Sequence, residues 1–143
     1  MKTVFSNIIL ILISTVTVYL MTSFINGRER SSIEIIDSID TGKDIVIKSD
    51  GGNDLIDVEK FIAGVLPGII SWDSSDRLIE AQAVAVRTKI YYVMGDSSAI
   101  NSEQLGYKYY TEEEWQKKLG REGYNKYREK YHRAVINTKG KIN

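Results

Sequence analysis

The chain has 143 residues, with 19 Lys plus Arg against 19 Asp plus Glu, no cysteine, one proline and one histidine. The missing cysteines exclude a disulfide framework, a Cys-based zinc site and a Cys-linked lipid anchor. A single histidine, His132, argues against a histidine metal site and against a Ser-His-Asp triad. A formal charge of zero gives no general attraction to nucleic acid. No cofactor and no metal are expected. The length suits one domain, and the start of the chain reads as something else.

Between Lys2 and Arg28 no residue is charged, and residues 8–25 are apolar except for Ser, Thr and Tyr. Roughly 20 helical residues cross a hydrocarbon core of about 30 Å, so residues 1–27 are expected to be a transmembrane signal anchor. A cleaved signal peptide fits less well. It needs small residues at its cleavage site, and the first alanine of the chain is Ala63. With Lys2 on one side and Arg28 and Arg30 on the other, the basic residues set orientation weakly. A short tail before a long C-terminal part favours the N-terminus inside. Only Lys2 leaves with the anchor, so 18 basic and 19 acidic residues remain after it, a charge of −1.

Residues 28–54 read as a linker with short strands. Ile33, Ile35 and Ile36 give a brief apolar alternation, and residues 44–49, D-I-V-I-K-S, suit a strand of β-branched residues. Residues 49–54 are a turn by composition. Residues 55–66 read as a helix with Ile56, Val58, Phe61, Ile62, Val65 and Leu66 on its apolar face, ended or kinked by Pro67-Gly68. Ser75 or Asp76 is expected to cap the next helix, residues 77–94. In that helix Ala81 and Ala85, extended by Leu78 and Thr88, form a small-residue stripe expected to pack closely against another element. Gly95 stops it. Residues 97–110 read as a loop ending in Tyr107, Tyr109 and Tyr110. Thr111 and Glu114 have the spacing of a capping box, so a short helix carrying Trp115 starts there and ends near Gly120. A second helix over 122–138 places Tyr124, Tyr127, Tyr131 and Val135 at intervals of three and four. The whole reads as α+β and helix-dominated.

Few residues invite chemistry. Gly51-Gly52 lacks the rest of a phosphate loop. His132, in a helical stretch with Arg128, Glu129, Lys130 and Arg133, reads as a surface histidine. Glu112, Glu113 and Glu114 are explained by the dipole of a helix start. Trp72 and Trp115 can stack on sugars, although core or interface positions explain them more simply. Arg87 follows a run of small and apolar residues, so its guanidinium needs acceptors: an internal carboxylate such as Asp57 or Glu59, or an anionic or polar ligand. Gln82 raises the same question. The two stand five residues apart, about 140° around the helix, so they do not face one small ligand together.

The run Phe61-Ile62-Ala63-Gly64-Val65-Leu66, followed by residues 78–88, L-I-E-A-Q-A-V-A-V-R-T, resembles the stage II sporulation protein D (SpoIID)/LytB domain. That family reads Y-x-x-G-V-V-A-x-E-M-P, a variable stretch, then E-A-L-K-A-Q-A-V-A-A-R-T. Gln104, Glu113-Glu114-Trp115, and Ala134-Val135 with Thr138 and Gly140 extend the resemblance across residues 55–142. It implies a membrane-anchored protein of peptidoglycan remodelling in sporulation, with the C-terminal domain outside the cytoplasm. In a spore former that is the space between mother cell and forespore. The implied activity is lytic transglycosylation, or amidase enhancement in the LytB branch. The implied partners are peptidoglycan glycan strands, a cell-wall amidase or another engulfment-complex protein, and the membrane, with no nucleic acid. Gln82, Arg87, Thr88 and Gln104 are implied as substrate-binding. The family's general acid is the Glu of its A-x-E-M-P segment, which protonates the leaving sugar oxygen. Here that position is Ile69, followed by Ile70-Ser71. A catalytically impaired form that binds glycan or a partner is therefore expected. The alternatives are an active enzyme using a displaced carboxylate, with Asp73 the nearest, and a nonfunctional remnant. The domain is expected to be incomplete at its C-terminal end, with apolar surface exposed where further strands would pack.

Overall fold

The structure, a computed structural model, describes residues 14–17, 31–49 and 51–143. Residues 14–17 are helical, and the rest of the expected signal anchor lies outside the described residues. Among the described residues, no helix is long and apolar enough to cross a membrane. The chain divides into two units, Met1–Arg30 and Ser31–Asn143.

The second unit is α+β and helix-dominated. Its order is α1 (Ser32–Asp37), β1 (Asp44–Ser49), β2 (Gly52–Asp57), α2 (Val58–Ile69), α3 (Asp76–Met94), β3 (Ala99–Asn101), a 3-10 turn (Ser102–Gln104) and α4 (Glu112–Asn137). The stretch read as a linker therefore supplies α1, β1 and the first half of β2. Ile33, Ile35 and Ile36, expected in a strand, lie in α1 instead. Ser31 caps this helix by accepting the Glu34 N–H. Ser32 fixes it to α4 through Glu129, its N–H donating to Oε1 at 3.2 Å and its hydroxyl to the carbonyl at 3.3 Å. Six residues form no stable helix alone, so this packing decides the conformation.

The sheet has the order β2-β1-β3. β1 and β2 are antiparallel with Asp44 opposite Asp57 and Ser49 opposite Gly52, and β3 runs parallel to β1. Leu55 and Ile56, expected at the start of a helix, belong to β2. The helix begins only at Val58, where the Asp57 carboxylate accepts the Glu59 N–H at 2.8 Å. The same carboxylate takes the Thr41 N–H and hydroxyl at 2.6 and 2.7 Å, so one residue ends the strand, caps the helix and holds the preceding loop. Pro67 lies inside the last turn of α2, which ends two residues later.

α3 matches its expected span, with Ser75 as N-cap and Gly95 ending it at φ 53°. The capping box of α4 is formed in both directions between Thr111 and Glu114. The break expected near Gly120 is present, since Gly120 has φ 71° and ψ 164° within α4. α2 is the hub of the core. Phe61, Ile62, Val65 and Leu66 are buried together with Ile79, Ala83, Val86 and Ile90 of α3, Tyr131 and Val135 of α4, and Ile45 of β1.

The small-residue stripe of α3 is a correction. The buried small residue is Ala83, whereas Ala81 and Ala85 are exposed. They share an open face with Leu78, 49 % exposed, and Tyr92, 87 % exposed.

Candidate functional site

The two stretches that carry the resemblance meet inside the domain. Arg87, with no exposed surface, forks onto Glu59 of α2 through Nε to Oε1 at 2.9 Å and Nη2 to Oε2 at 2.6 Å. Nη1 donates to the Thr138 carbonyl at 2.9 Å, to its hydroxyl at 3.3 Å and to the Lys141 carbonyl at 3.3 Å. Nη2 also reaches the Val135 carbonyl at 3.3 Å. A guanidinium has five N–H donors, and these contacts engage all three nitrogens. Arg87 is therefore enclosed in the domain, and of the acceptors expected for it the Glu59 carboxylate is the one it meets. The reason is steric as well as electrostatic: it stands on the inward face of α3 beside Val86 and Ile90.

Thr88 turns toward the chain's last residues too. Its hydroxyl donates to the Val84 carbonyl at 2.8 Å and accepts the Asn143 N–H at 3.0 Å. Gln82 is half-buried on another side of α3, and Gln104 is exposed at the end of the 3-10 turn. Of the four residues expected to bind substrate, Arg87 and Thr88 thus grip the segment 135–143. No described contact joins Gln82 or Gln104 to them.

Ile69 is the last residue of α2 and is 38 % exposed. The connection that follows it is pinned to α4. The Tyr131 hydroxyl donates to the Ile70 carbonyl at 2.9 Å, and burial together with the Asp73 charge pushes that phenol up to about 12. Lys130 donates to the carbonyls of Trp72 and Ser74 at 3.0 and 2.6 Å and pairs with Asp76 at 3.3 Å. Trp72, 37 % exposed, stacks on Tyr127 with ring centroids 3.8 Å apart. A half-exposed isoleucine, an exposed aspartate and a tryptophan braced on one face thus lie along a stretch held by Tyr127, Lys130 and Tyr131 of α4. The sequence signals Tyr127 and Tyr131 through their helical spacing. Lys130 carries no such signal, because its role depends on where the α2–α3 connection lands.

A stage II sporulation protein family model matches residues 52–143. The chain belongs to this SpoIID family. No curated protein matches it. Membership associates the domain with sporulation and a cell-wall function, and the matched span takes in Ile69, Arg87 and Thr138 together.

Two further places have chemical character. A cleft of about 500 Å³ lies between the sheet and the start of α4, lined by Asp54, Glu103 and Glu114 among others. Its carboxylates are partly committed: Glu103 pairs with Lys48 at 2.7 Å, and the Thr111 N–H and Lys108 hold Glu114 below the usual carboxylate range. The second place surrounds His132. Expected at the surface, this residue is 6 % exposed, and burial with the nearby Arg128 charge lowers it to about 4. The helical repeat of α4 carries it inward beside Tyr131 and Val135, and its charged sequence neighbours hide that. Trp115 is likewise buried, in edge contact with Tyr124. Among the described residues, no cluster of His, Asp and Glu has the arrangement of a metal site.

Proposed function

We propose that this chain is a membrane-anchored cell-envelope protein of sporulation that binds peptidoglycan glycan strands, or a hydrolase acting on them, without cleaving them itself. The observation that carries the reading is Ile69. It occupies the place of the family's acid, at the half-exposed end of α2. Glycosidic cleavage needs a group there that gives a proton to the leaving oxygen, and a hydrocarbon side chain has none to give. The domain around that place is held together: Arg87 joins α2, α3 and the end of α4, and Tyr131 and Lys130 fix the connection after Ile69. Residues 1–27 serve as the anchor and place the domain outside the cytoplasm.

The test uses the full chain in detergent and glycan strands stripped of stem peptides. Co-sedimentation without release of anhydro-muramyl products is the expected outcome, and accumulation of those products overturns the loss of cleavage. A second reading has one observation in its favour: Asp73 is exposed four residues beyond Ile69 and near enough to the Tyr131 phenol to affect its ionisation. If products do appear and Asp73→Asn abolishes them while the melting temperature holds, Asp73 is the displaced acid.

A further inference from the structure

α3 buries Ile79, Ala83, Val86 and Ile90 on one side and leaves the other side bare. On the bare side Leu78, Ala81, Ala85, Thr88 and Tyr92 follow one another at intervals of three and four, the spacing of a coiled-coil seam two heptads long. Leu78, Ala81, Ala85 and Tyr92 are exposed, and Thr88 is half-buried. No member of the seam is charged. Tyr92, at 87 % exposure, stands clear of the core.

The seam fits a copy of itself when the copy is reversed. Two parallel helices bring equal positions together, so Tyr92 would meet Tyr92 and Ala85 would meet Ala85, a wide layer beside a narrow one. In an antiparallel pair the two alternating kinds of seam position meet instead. Tyr92 then lies on the partner's Ala81, and Ala85 lies beside the partner's Thr88, each contact occurring twice about a two-fold axis. Every layer sets a larger side chain against a smaller one, which is how facing helices interdigitate.

The charges at the two ends agree with this register. It brings Arg77, at the start of α3, to the partner's Asp96, just past the end of its α3. Both residues are exposed, and neither has an ion pair among the described residues. The neighbouring charges are committed elsewhere: Asp76 pairs with Lys130, Lys43 donates to the Ser97 carbonyl, and Lys89 donates to the Leu105 carbonyl. Arg77 also meets the negative end of the partner's helix dipole. A parallel pair would set Arg77 against Arg77 and Asp96 against Asp96.

We propose that this face of α3 is an interface between two copies of the chain, paired antiparallel. A lipid surface would call for basic residues along both flanks of the apolar face, and here one free charge of each sign stands at opposite ends. The seam is about 21 Å long and one helix wide, less than the roughly 800 Å² per partner of a standard interface. The pair is therefore weak, and the face is open in dilute protein. The inference is independent of the glycan-binding reading.

The chain has no cysteine, so introduced cysteines report on the pair without background. The full chain in detergent is prepared as Ala81→Cys and as Tyr92→Cys, and each is oxidised mildly, alone and mixed with the other. A disulfide needs Cα atoms within about 7 Å. In the antiparallel pair position 81 of one copy faces position 92 of the other, whereas equal positions stand about 16 Å apart. The expected result is a disulfide-linked dimer in the mixture, rising with protein concentration, and none in either variant alone. Linkage of each variant to itself, as a parallel pair or random collision gives, overturns the proposal, as does the absence of any linkage. A second series reverses the end charges in the mixed pair. Arg77→Glu or Asp96→Lys alone is expected to lower the yield about fivefold, and the two together to restore it. A yield that ignores the single reversals, or that stays low with both, also overturns the proposal.

Discussion

Glu59 and Arg87 lie 28 positions apart in the chain and meet with almost no exposed surface on either side chain. The pair is satisfied from every side, by two charge-assisted bonds between them and by carbonyls of α4 and the turn after it. Removing one partner of such a pair leaves the other charge buried and alone, which typically costs 3–5 kcal/mol. Glu59→Gln is therefore expected to lower the urea midpoint of unfolding by the equivalent of about 3 kcal/mol. Arg87→Lys keeps the charge and loses the fork, so it too should lower the midpoint, while glycan affinity stays as it was. Unchanged stability with lost affinity would return Arg87 to a binding role. His132 sets a different condition. Its folded value is lowered to about 4 from an ordinary 6.5, so between those values the unfolded chain binds more protons than the folded one. Stability then falls as pH drops from 6.5 toward 4, by up to about 3 kcal/mol, and is flat with respect to this group above 6.5. Urea unfolding at pH 7 and pH 4.5 measures the loss. Comparison with His132→Phe separates it from the carboxylates that titrate over the same range, and an equal pH loss in the variant would refute the assignment.

Two glycines show how elements approach one another. A Cβ on Gly64 of α2 would run into the ring of Tyr109, and one on Gly68 would meet the ring of Tyr110 at 2.7 Å. The Tyr110 N–H also donates to the Gly64 carbonyl at 3.1 Å, and Tyr109 stacks on Phe61 at 5.7 Å. α2 is thus bare on one side so that the segment before α4 can lie flat on it. That explains physically why a glycine stands at the fourth place of the Phe61–Leu66 run. Gly64→Ala gains intrinsic helix propensity of up to about 1 kcal/mol and must still displace an aromatic ring. Overpacking of this kind usually costs 1–3 kcal/mol. A net loss of about 1 kcal/mol or more in thermal or urea unfolding is expected, together with faster amide exchange at Tyr110. A stabilised variant would mean that the tyrosines move aside freely.

Across the whole domain the helices do not cover one another evenly. Leu78, Ala81, Ala85 and Tyr92 fall within about 60° of each other around α3, opposite the buried stripe of Ile79, Val86 and Ile90. An apolar face of this kind on a small domain takes up hydrophobic dye. The double change Leu78→Ser and Tyr92→Ser should lower dye fluorescence severalfold and leave the unfolding midpoint within about 0.5 kcal/mol, as for surface positions. A marked fall in stability would show that this face is covered in the folded protein. Apolar surface was expected from the resemblance, yet its place was not. The expectation put the Ala81–Ala85 stripe inside, and the packing of α2 and α4 on the other side of α3 left it outside.

Local chemistry made several features legible in the sequence alone. Ser75 as a cap, Gly95 as a stop, the Thr111–Glu114 capping box and the break at Gly120 each depend on residues within one turn of each other, so no tertiary information is needed to read them. The motif around Gly64 and Arg87 was equally legible, and with it the family. Tertiary structure decided what distant parts of the chain impose. Ile33, Ile35 and Ile36 carry alternation, but docking on Glu129 makes α1 a helix. Leu55 and Ile56 carry helical spacing, but pairing with Val46 and Ile45 makes them strand. Arg87 and His132 could each face inward or outward by composition. Which way they turned depended on which face of their helix the core claimed, because burial is a property of the packed helices and a single period shows only that a face exists.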